Sequence, residues 1–309
     1  MAYNEEANIG HLLGAVLNQQ FQQCQLSQIV VVASGCTDKT VEIAKAYARQ
    51  DSRLEVIVQP ERKGKASAIN LFLEQAKEEI LLVESGDTIP SLDCYEALLF
   101  PFLDPQVGMT GARPVPVNDP RTFMGFCVHF LWQLHHGLAC KYPKLGELIA
   151  FRNLIRQIPE DTAVDEASIE QIITGLHYKL CYAPQAIVYN KGPETLSDFI
   201  KQRRRIANGH MHLKQSKGYA PSTTSLPHTF SVMGSRLNCH LMRIARVARR
   251  QKPILLSGYL FREAKRAAWV IGAVGLETLA RFLGWYDLHV QHKNPVSWEV
   301  ISTTKRLNK

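Results

Sequence analysis

The chain of 309 residues has no CxxC pair, and its seven cysteines (Cys24, Cys36, Cys94, Cys127, Cys140, Cys181 and Cys239) are scattered along it. An odd, unpaired set argues against a disulfide framework and for a reducing compartment with mostly buried thiols. Long uncharged hydrophobic runs are also missing. Ala267 to Leu276 is free of charge for only ten residues, between Arg266 and Glu277, which is too short to cross a bilayer. Thr122 to Cys140 has no formal charge over 19 residues but carries His129, Gln133, His135 and His136, and such side chains make spanning costly. No ordinary transmembrane helix is expected, and nothing near the N-terminus has the pattern of a signal peptide. No internal repeat is visible. No Ser-His-Asp or Cys-His arrangement stands in a supporting context, so nucleophilic covalent catalysis has no candidate. The arginine-rich stretches lack interleaved aromatics, which argues against a nucleic-acid partner.

What is present points to a folded α/β protein. Hydrophobic residues make up 46% and charged ones 21%, enough apolar content for one large or two modest cores. The formal net charge of +8 suits an anionic membrane or a nucleoside diphosphate without choosing between them. Helical periodicity over Glu5 to Gln20, Asp38 to Arg49 and Lys65 to Ala76 alternates with short apolar runs at Gln28 to Val32, Leu54 to Val58 and Glu79 to Val83. That alternation predicts βαβ units and a mostly parallel sheet flanked by helices. Further on, Val107 to Gly111, Lys179 to Tyr182 and Ala186 to Tyr189 are candidate strands. Thr122 to Leu138, Ala167 to Leu176, a basic helix from Pro193, Phe230 to Arg249 and Ile254 to Leu283 are predicted helices, with a loop at Ser216 to Ser225.

Five polar blocks interrupt this pattern, and each has an ordinary local explanation. Thr37 and Asp38, in Ser34-Gly35-Cys36-Thr37-Asp38-Lys39-Thr40, can cap the helix that follows. Arg62-Lys63-Gly64-Lys65 reads as a solvated turn, and Ser85-Gly86-Asp87 as a turn at the carboxyl end of a strand, where α/β proteins place ligands. Asp165-Glu166 would sit favourably in the first turn of a helix. Gln202 and Arg205, three apart, share one helical face.

Taken together and in order with Ala2-Tyr3-Asn4-Glu5-Glu6, these blocks resemble family 2 glycosyltransferases, which are inverting enzymes with the GT-A nucleotide-sugar-binding fold. The likeness covers roughly residues 1 to 210 and is greatest to the branch of cellulose, chitin and hyaluronan synthases. It implies a GT-A catalytic domain over 1–215, followed by a helical C-terminal region over 216–309. The family opens with a β-strand leading into the Asn-Glu-Glu segment, so most of strand one is expected to be missing from the chain as written.

The resemblance also assigns roles. Asn4, Glu5, Glu6 and Asp38 fall on the donor side, although Ala33-Ser34 stands where relatives carry an acidic residue. Lys63 and Lys65 would offset the diphosphate charge. Asp87 matches the last Asp of the family's Asp-x-Asp motif, whose first Asp is Ser85 here, and would ligate Mg²⁺ or Mn²⁺. Glu84 is adjacent but faces the other way on a strand. His210 is a second candidate for the metal or phosphate, or a free surface histidine. Asp165 is the preferred base for the acceptor hydroxyl, with Glu166 second. Gln202 and Arg205 match Gln-x-x-Arg-Trp, with Arg205 clamping the leaving diphosphate. Ile206 replaces the Trp, which argues against chain polymerisation.

The implied partners are a nucleoside diphosphate sugar, with UDP favoured, and a glycan or lipid-linked acceptor. The basic run His240, Arg243, Arg246, Arg249 and Arg250 and the mostly apolar Ala264 to Trp285 suggest peripheral membrane contact. Packing of these helices on the catalytic domain is the alternative. The implied location is the cytoplasm, with contact at the inner face of the plasma membrane. A synthase subunit and a non-catalytic GT-A scaffold are the competing functional readings.

Overall fold

The computed structural model describes residues 1–221, 253–293 and 301–307. The predicted helix Phe230 to Arg249, the basic run from His240 to Arg250 and most of the loop Ser216 to Ser225 lie outside the described residues. The first half follows the alternation read from sequence: α1 (Ile9–Leu17), β1 (Ile29–Ser34), α2 (Thr40–Ala48), β2 (Leu54–Gln59), α3 (Lys65–Gln75) and β3 (Ile80–Glu84). A short β4 (Thr88–Pro90) and α4 (Cys94–Leu99) come next. After them run β5 (Val107–Pro116), α5 (Phe123–Ala139), β6 (Leu148–Arg152), α6 (Asp165–Gly175), β7 (Lys179–Asn190), α7 (Leu196–Lys217) and α8 (Pro253–His289).

The expected mostly parallel sheet is in fact mixed. β1 and β2 form a parallel pair, and five strands form a second sheet in the order β3-β6-β5-β7-β4. Within that sheet only β5 and β7 are parallel, because β6 and β4 run antiparallel to their neighbours. Residues Met1 and Ala2 stand between the two sheets. Ala2 N–H donates to Val32 O (2.9 Å), Ser34 N–H donates to Ala2 O (3.0 Å) and Gly86 N–H donates to Met1 O (2.8 Å). These bonds tie the carboxyl ends of β1 and β3 together, and the chain after β3 carries Ser85 and Asp87 into the wall of the site described below.

β6 was not foreseen. Its sequence, Leu-Ile-Ala-Phe-Arg, is buried on both faces and therefore apolar without alternation. Leu148 and Ala150 join the core under α1 and α4, whereas Ile149 and Phe151 join the core under α3 and α6. β7 merges the two short runs at 179–182 and 186–189 into one strand. α7 starts at Thr195, whose hydroxyl accepts from Asp198 N–H at 3.2 Å, and ends at Gly218 with φ 68, a standard N-cap and left-handed C-terminal stop.

α8 bears on the expectation that no helix spans a membrane. Arg262–His289 is long and apolar enough to cross a membrane by length and composition, and only 17% of its most apolar window is buried. Its charges, read in sequence as obstacles to spanning, are used in docking. Arg203 makes two hydrogen bonds to Glu277 (2.7 and 2.8 Å), Arg281 adds a third (2.8 Å), and Arg204 pairs with Asp287. The outer face of the helix leaves Ile271, Phe282 and Trp285 exposed.

Candidate active site

A cavity of about 610 Å³ opens above the carboxyl ends of the strands, between α5, α6, α7 and α8. Its polar end gathers Lys65, Asp87, Asp165, Glu166, Gln202 and Arg205, six of the predicted site residues drawn from sequence positions far apart. Its other end is walled by one face of α5, including Leu131, Trp132 and His135.

The two adjacent acids of α6 are in opposite states. Glu166 accepts a hydrogen bond from Lys65 Nζ at 2.5 Å. Burial alone would raise its pKa, but the Lys65 charge and hydrogen bond outweigh that and hold it below the usual carboxylate range. Asp165 is 6% exposed and its Oδ1 has no partner. Burial pushes it upward, Lys65 pulls it down, the Glu166 charge pushes it up again, and the balance lies above the ordinary aspartate value. A carboxylate with an open oxygen and a raised pKa has the properties of a general base. Lys65 is half-buried and held protonated by Glu166, Asp165 and Glu147 against the opposing effect of burial.

The arginine run 203–205 is divided by helix geometry, with Arg203 and Arg204 turned to α8. Arg205 faces the cavity with its Nε buried and unpartnered, so a planar donor set is available to an anion. His210 also lines the cavity, but Lys144, Arg203 and Arg281 surround it, and burial plus these charges lower its pKa to about 3. The ring is therefore held neutral, the form in which an imidazole can ligate a metal.

Other residues expected on the donor side lie outside the wall of this cavity. Glu5 is 4% exposed and is held by Asn8 (2.9 Å) and by Lys305 of the C-terminal segment. It is a structural acid and does not line the cavity. Asp38 accepts from Thr40 N–H (3.0 Å), Thr40 Oγ1–H (2.6 Å) and Glu6 N–H (3.0 Å), and Glu6 in turn accepts from Lys39 N–H (3.2 Å). Asn4 holds Thr37 through its N–H at 2.8 Å. These residues form a turn-and-cap cluster beside the cavity and not in its wall. Lys63 is exposed and outside the wall, whereas its neighbour Arg62 is in it and stacks on Tyr3 at 4.4 Å. Gly64 has φ 91, a value that side chains rarely adopt, and it lets the chain turn sharply into α3 so that Lys65 points inward.

Sequence reasoning missed Lys144, Glu147 and Asn190, all of which line the cavity. Glu147 takes φ 63 and burial lifts its pKa to about 7, with Asp87 and Glu166 adding to the rise. The only signal was Gly146-Glu147 ahead of an apolar run that was not read as a strand. Glu84, as expected, faces away: its carboxylate accepts from Thr88 (2.9 Å) and Tyr95 (2.5 Å). Among the described residues no group of three or more His, Cys, Asp or Glu side chains could hold a metal ion by itself. A divalent ion shared with substrate phosphates needs only one or two carboxylates. Asp87 is engaged in no hydrogen bond or ion pair found here, and the nearby Asn190 Oδ1 is buried without a partner, so the oxygen set fits such an ion.

The mixed sheet with a carboxylate- and cation-lined cavity at its carboxyl edge is the GT-A architecture. Residues 1–158 match the family model described as Glycosyl transferase family 2. The chain belongs to that family. It is 25% identical over 229 residues to "Probable glycosyltransferase YdaM" of Bacillus subtilis, covering 69% of this chain and 54% of that protein. It is also 25% identical over 220 residues to "Poly-beta-1,6-N-acetyl-D-glucosamine synthase" of Staphylococcus aureus, covering 67% and 52%. The chain thus spans about half the length of these curated relatives. Among solved structures, a mannosyltransferase of Pyrobaculum calidifontis in complex with GDP-Man and Mn²⁺ superposes with a TM-score of 0.62 at 20% identity, over 94% of this chain and 86% of that one.

Proposed function

We propose that the chain transfers a sugar from a nucleoside diphosphate sugar to an acceptor hydroxyl with inversion, using Asp165 as base. The observation that carries this reading is the unpartnered, buried Asp165 oxygen beside the Lys65–Glu166 pair in the same cavity as Arg205 and Asp87. Asp165 takes the proton of the acceptor hydroxyl as that oxygen attacks the anomeric carbon. Lys65 keeps Glu166 ionised and out of competition for that proton. Arg205, with Gln202 beside it, receives the departing diphosphate. A Mg²⁺ or Mn²⁺ ion at Asp87 would supply charge to the diphosphate oxygens when bound. One displacement by one activated oxygen inverts the centre.

A structural neighbour in complex with GDP-Man and the charges in the cavity leave both UDP and GDP donors to be tried, with a glycan or lipid-linked acceptor. The outward apolar face of α8, with Ile271, Phe282 and Trp285 exposed, supports peripheral contact with the inner face of the plasma membrane from the cytoplasm. Arg203 and Arg204 are engaged by α8, so that run is no free basic surface for nucleic acid. A second reading, a subunit of a polysaccharide synthase, is favoured by the likeness to the staphylococcal enzyme.

The test is donor binding. UDP, GDP and their sugars are titrated with and without Mn²⁺ by calorimetry, in the unaltered chain and in Asp87→Ala. Metal-dependent binding that disappears in the variant is expected. A folded chain that binds none of them would refute the enzyme reading and leave a scaffold.

A further inference from the structure

The carboxylate absent at Ser85 has a counterpart across the sheet. β3 and β6 pair antiparallel with Glu84 opposite Leu148, and one step further the same register sets Glu147 opposite Ser85. The strand stops at that point because Glu147 turns to φ 63, a left-handed conformation uncommon outside glycine. Its side chain lines the cavity with Asp87.

Asn190 arrives from a third strand. β7 pairs with β4 so that Asn190 lies opposite Thr88, the residue after Asp87, and its side chain lies close enough to Glu147 to favour the ionised carboxylate. Asn190 is 6% exposed, lines the same cavity, and leaves its Oδ1 buried with no partner. An unpaired buried amide oxygen is destabilising, and a ligand would remove that penalty. Two carboxylates and one amide carbonyl, all hard oxygen donors, therefore come together from three separate strand ends.

We propose that Glu147 and the Asn190 amide oxygen complete, with Asp87, the oxygen site for a divalent cation, Glu147 standing in for the carboxylate that Ser85 lacks. The inference rests on the donor-site reading above. Three protein oxygens leave the remaining positions of a six-coordinate ion to diphosphate oxygens and water. Lys65 lies near enough to Glu147 to feel its charge, so the ion and the ion-paired lysine would meet the diphosphate together.

The test titrates Mn²⁺ into the full chain with saturating UDP and, separately, GDP, with free Mn²⁺ read by electron paramagnetic resonance. Glu147→Gln is expected to weaken Mn²⁺ by about tenfold or more, with metal-free nucleotide affinity and the melting temperature unchanged. Asn190→Ala is expected to weaken it less. Ser85→Asp added to Glu147→Gln should restore Mn²⁺ affinity, which a merely structural role for Glu147 would not allow. If Glu147→Gln holds Mn²⁺ as the unaltered chain does while Asp87→Ala loses it, this inference is wrong and the donor-site reading stands. If the unaltered chain shows no Mn²⁺-dependent nucleotide binding, the donor-site reading falls and takes this inference with it.

Discussion

Asp165 and Glu166 are neighbours in sequence, yet Glu166 is ion-paired to Lys65 while Asp165 Oδ1 is buried without a partner. The difference comes from Lys65, which reaches across from α3 to Glu166. Asp165→Asn should lower the transfer rate by about 10²–10⁴-fold while donor affinity, measured by calorimetry, is retained. Equal loss in both would mean that Asp165 is structural. A pH test follows from the same geometry. Asp165 is pushed above the ordinary aspartate range mainly by burial, and Lys65 opposes that rise. The acid limb of the rate profile should therefore lie above that range, since the base works only once deprotonated. Lys65→Met removes the opposing charge and should move the limb to higher pH. A limb that stays in place or moves down would assign the titration to another group.

At the scale of elements, α7 and α8 form one unit held by arginine–carboxylate pairs. Burial alone would raise the pKa of Glu277, but the charges and hydrogen bonds of Arg203 and Arg281 hold it at about 2. A carboxylate depressed in the folded state contributes stability above its unfolded value near 4.5, and that contribution is lost as pH falls toward 2. Protection against hydrogen exchange in α8, corrected for the intrinsic pH dependence, should therefore fall between pH 4.5 and pH 2, the window set by those two values, before protection in β5 and β6 does. Glu277→Gln should loosen α8 at neutral pH by about 1–3 kcal/mol, read from the same exchange rates. Unchanged protection would show that apolar packing, such as Phe123 and Phe126 against Trp269, holds the helix alone.

For the whole molecule, the question is what covers the outer face of α8. Phe282 and Trp285 stack at 6.0 Å and remain 58% and 44% exposed, an arrangement suited to a bilayer interface. The chain should sediment with vesicles containing anionic lipid, and the double change Phe282→Gln with Trp285→Gln should weaken that binding by about 2 kcal/mol or more. Binding that depends only on salt, and not on these two residues, would place the contact on the basic surface instead.

The legible part of the fold was its local part. Periodicity placed α1 to α3 and β1 to β3 within a few residues, because those elements repeat in a strict βαβ rhythm. β6 was illegible because five apolar residues buried on both faces carry no period. The direction of β6 and β4 depends on partners distant in sequence, and so does the mixed sheet that replaced the expected parallel one. The site divides the same way. Asp87, Asp165 and Arg205 stand in recognisable local blocks, whereas Glu147 and Asn190 matter only through the strands beside them.

The sequence by itself determined the α/β alternation, the polar blocks at strand ends and the family they resemble, since each is a short-range pattern. Tertiary structure alone decided that Arg203 and Arg204 bind α8 while Arg205 faces the cavity. It likewise paired Glu5 with Lys305 and Glu166 with Lys65, and left Asp165 Oδ1 buried without a partner. A side chain's partner is set by what folds against it, and that information is not local.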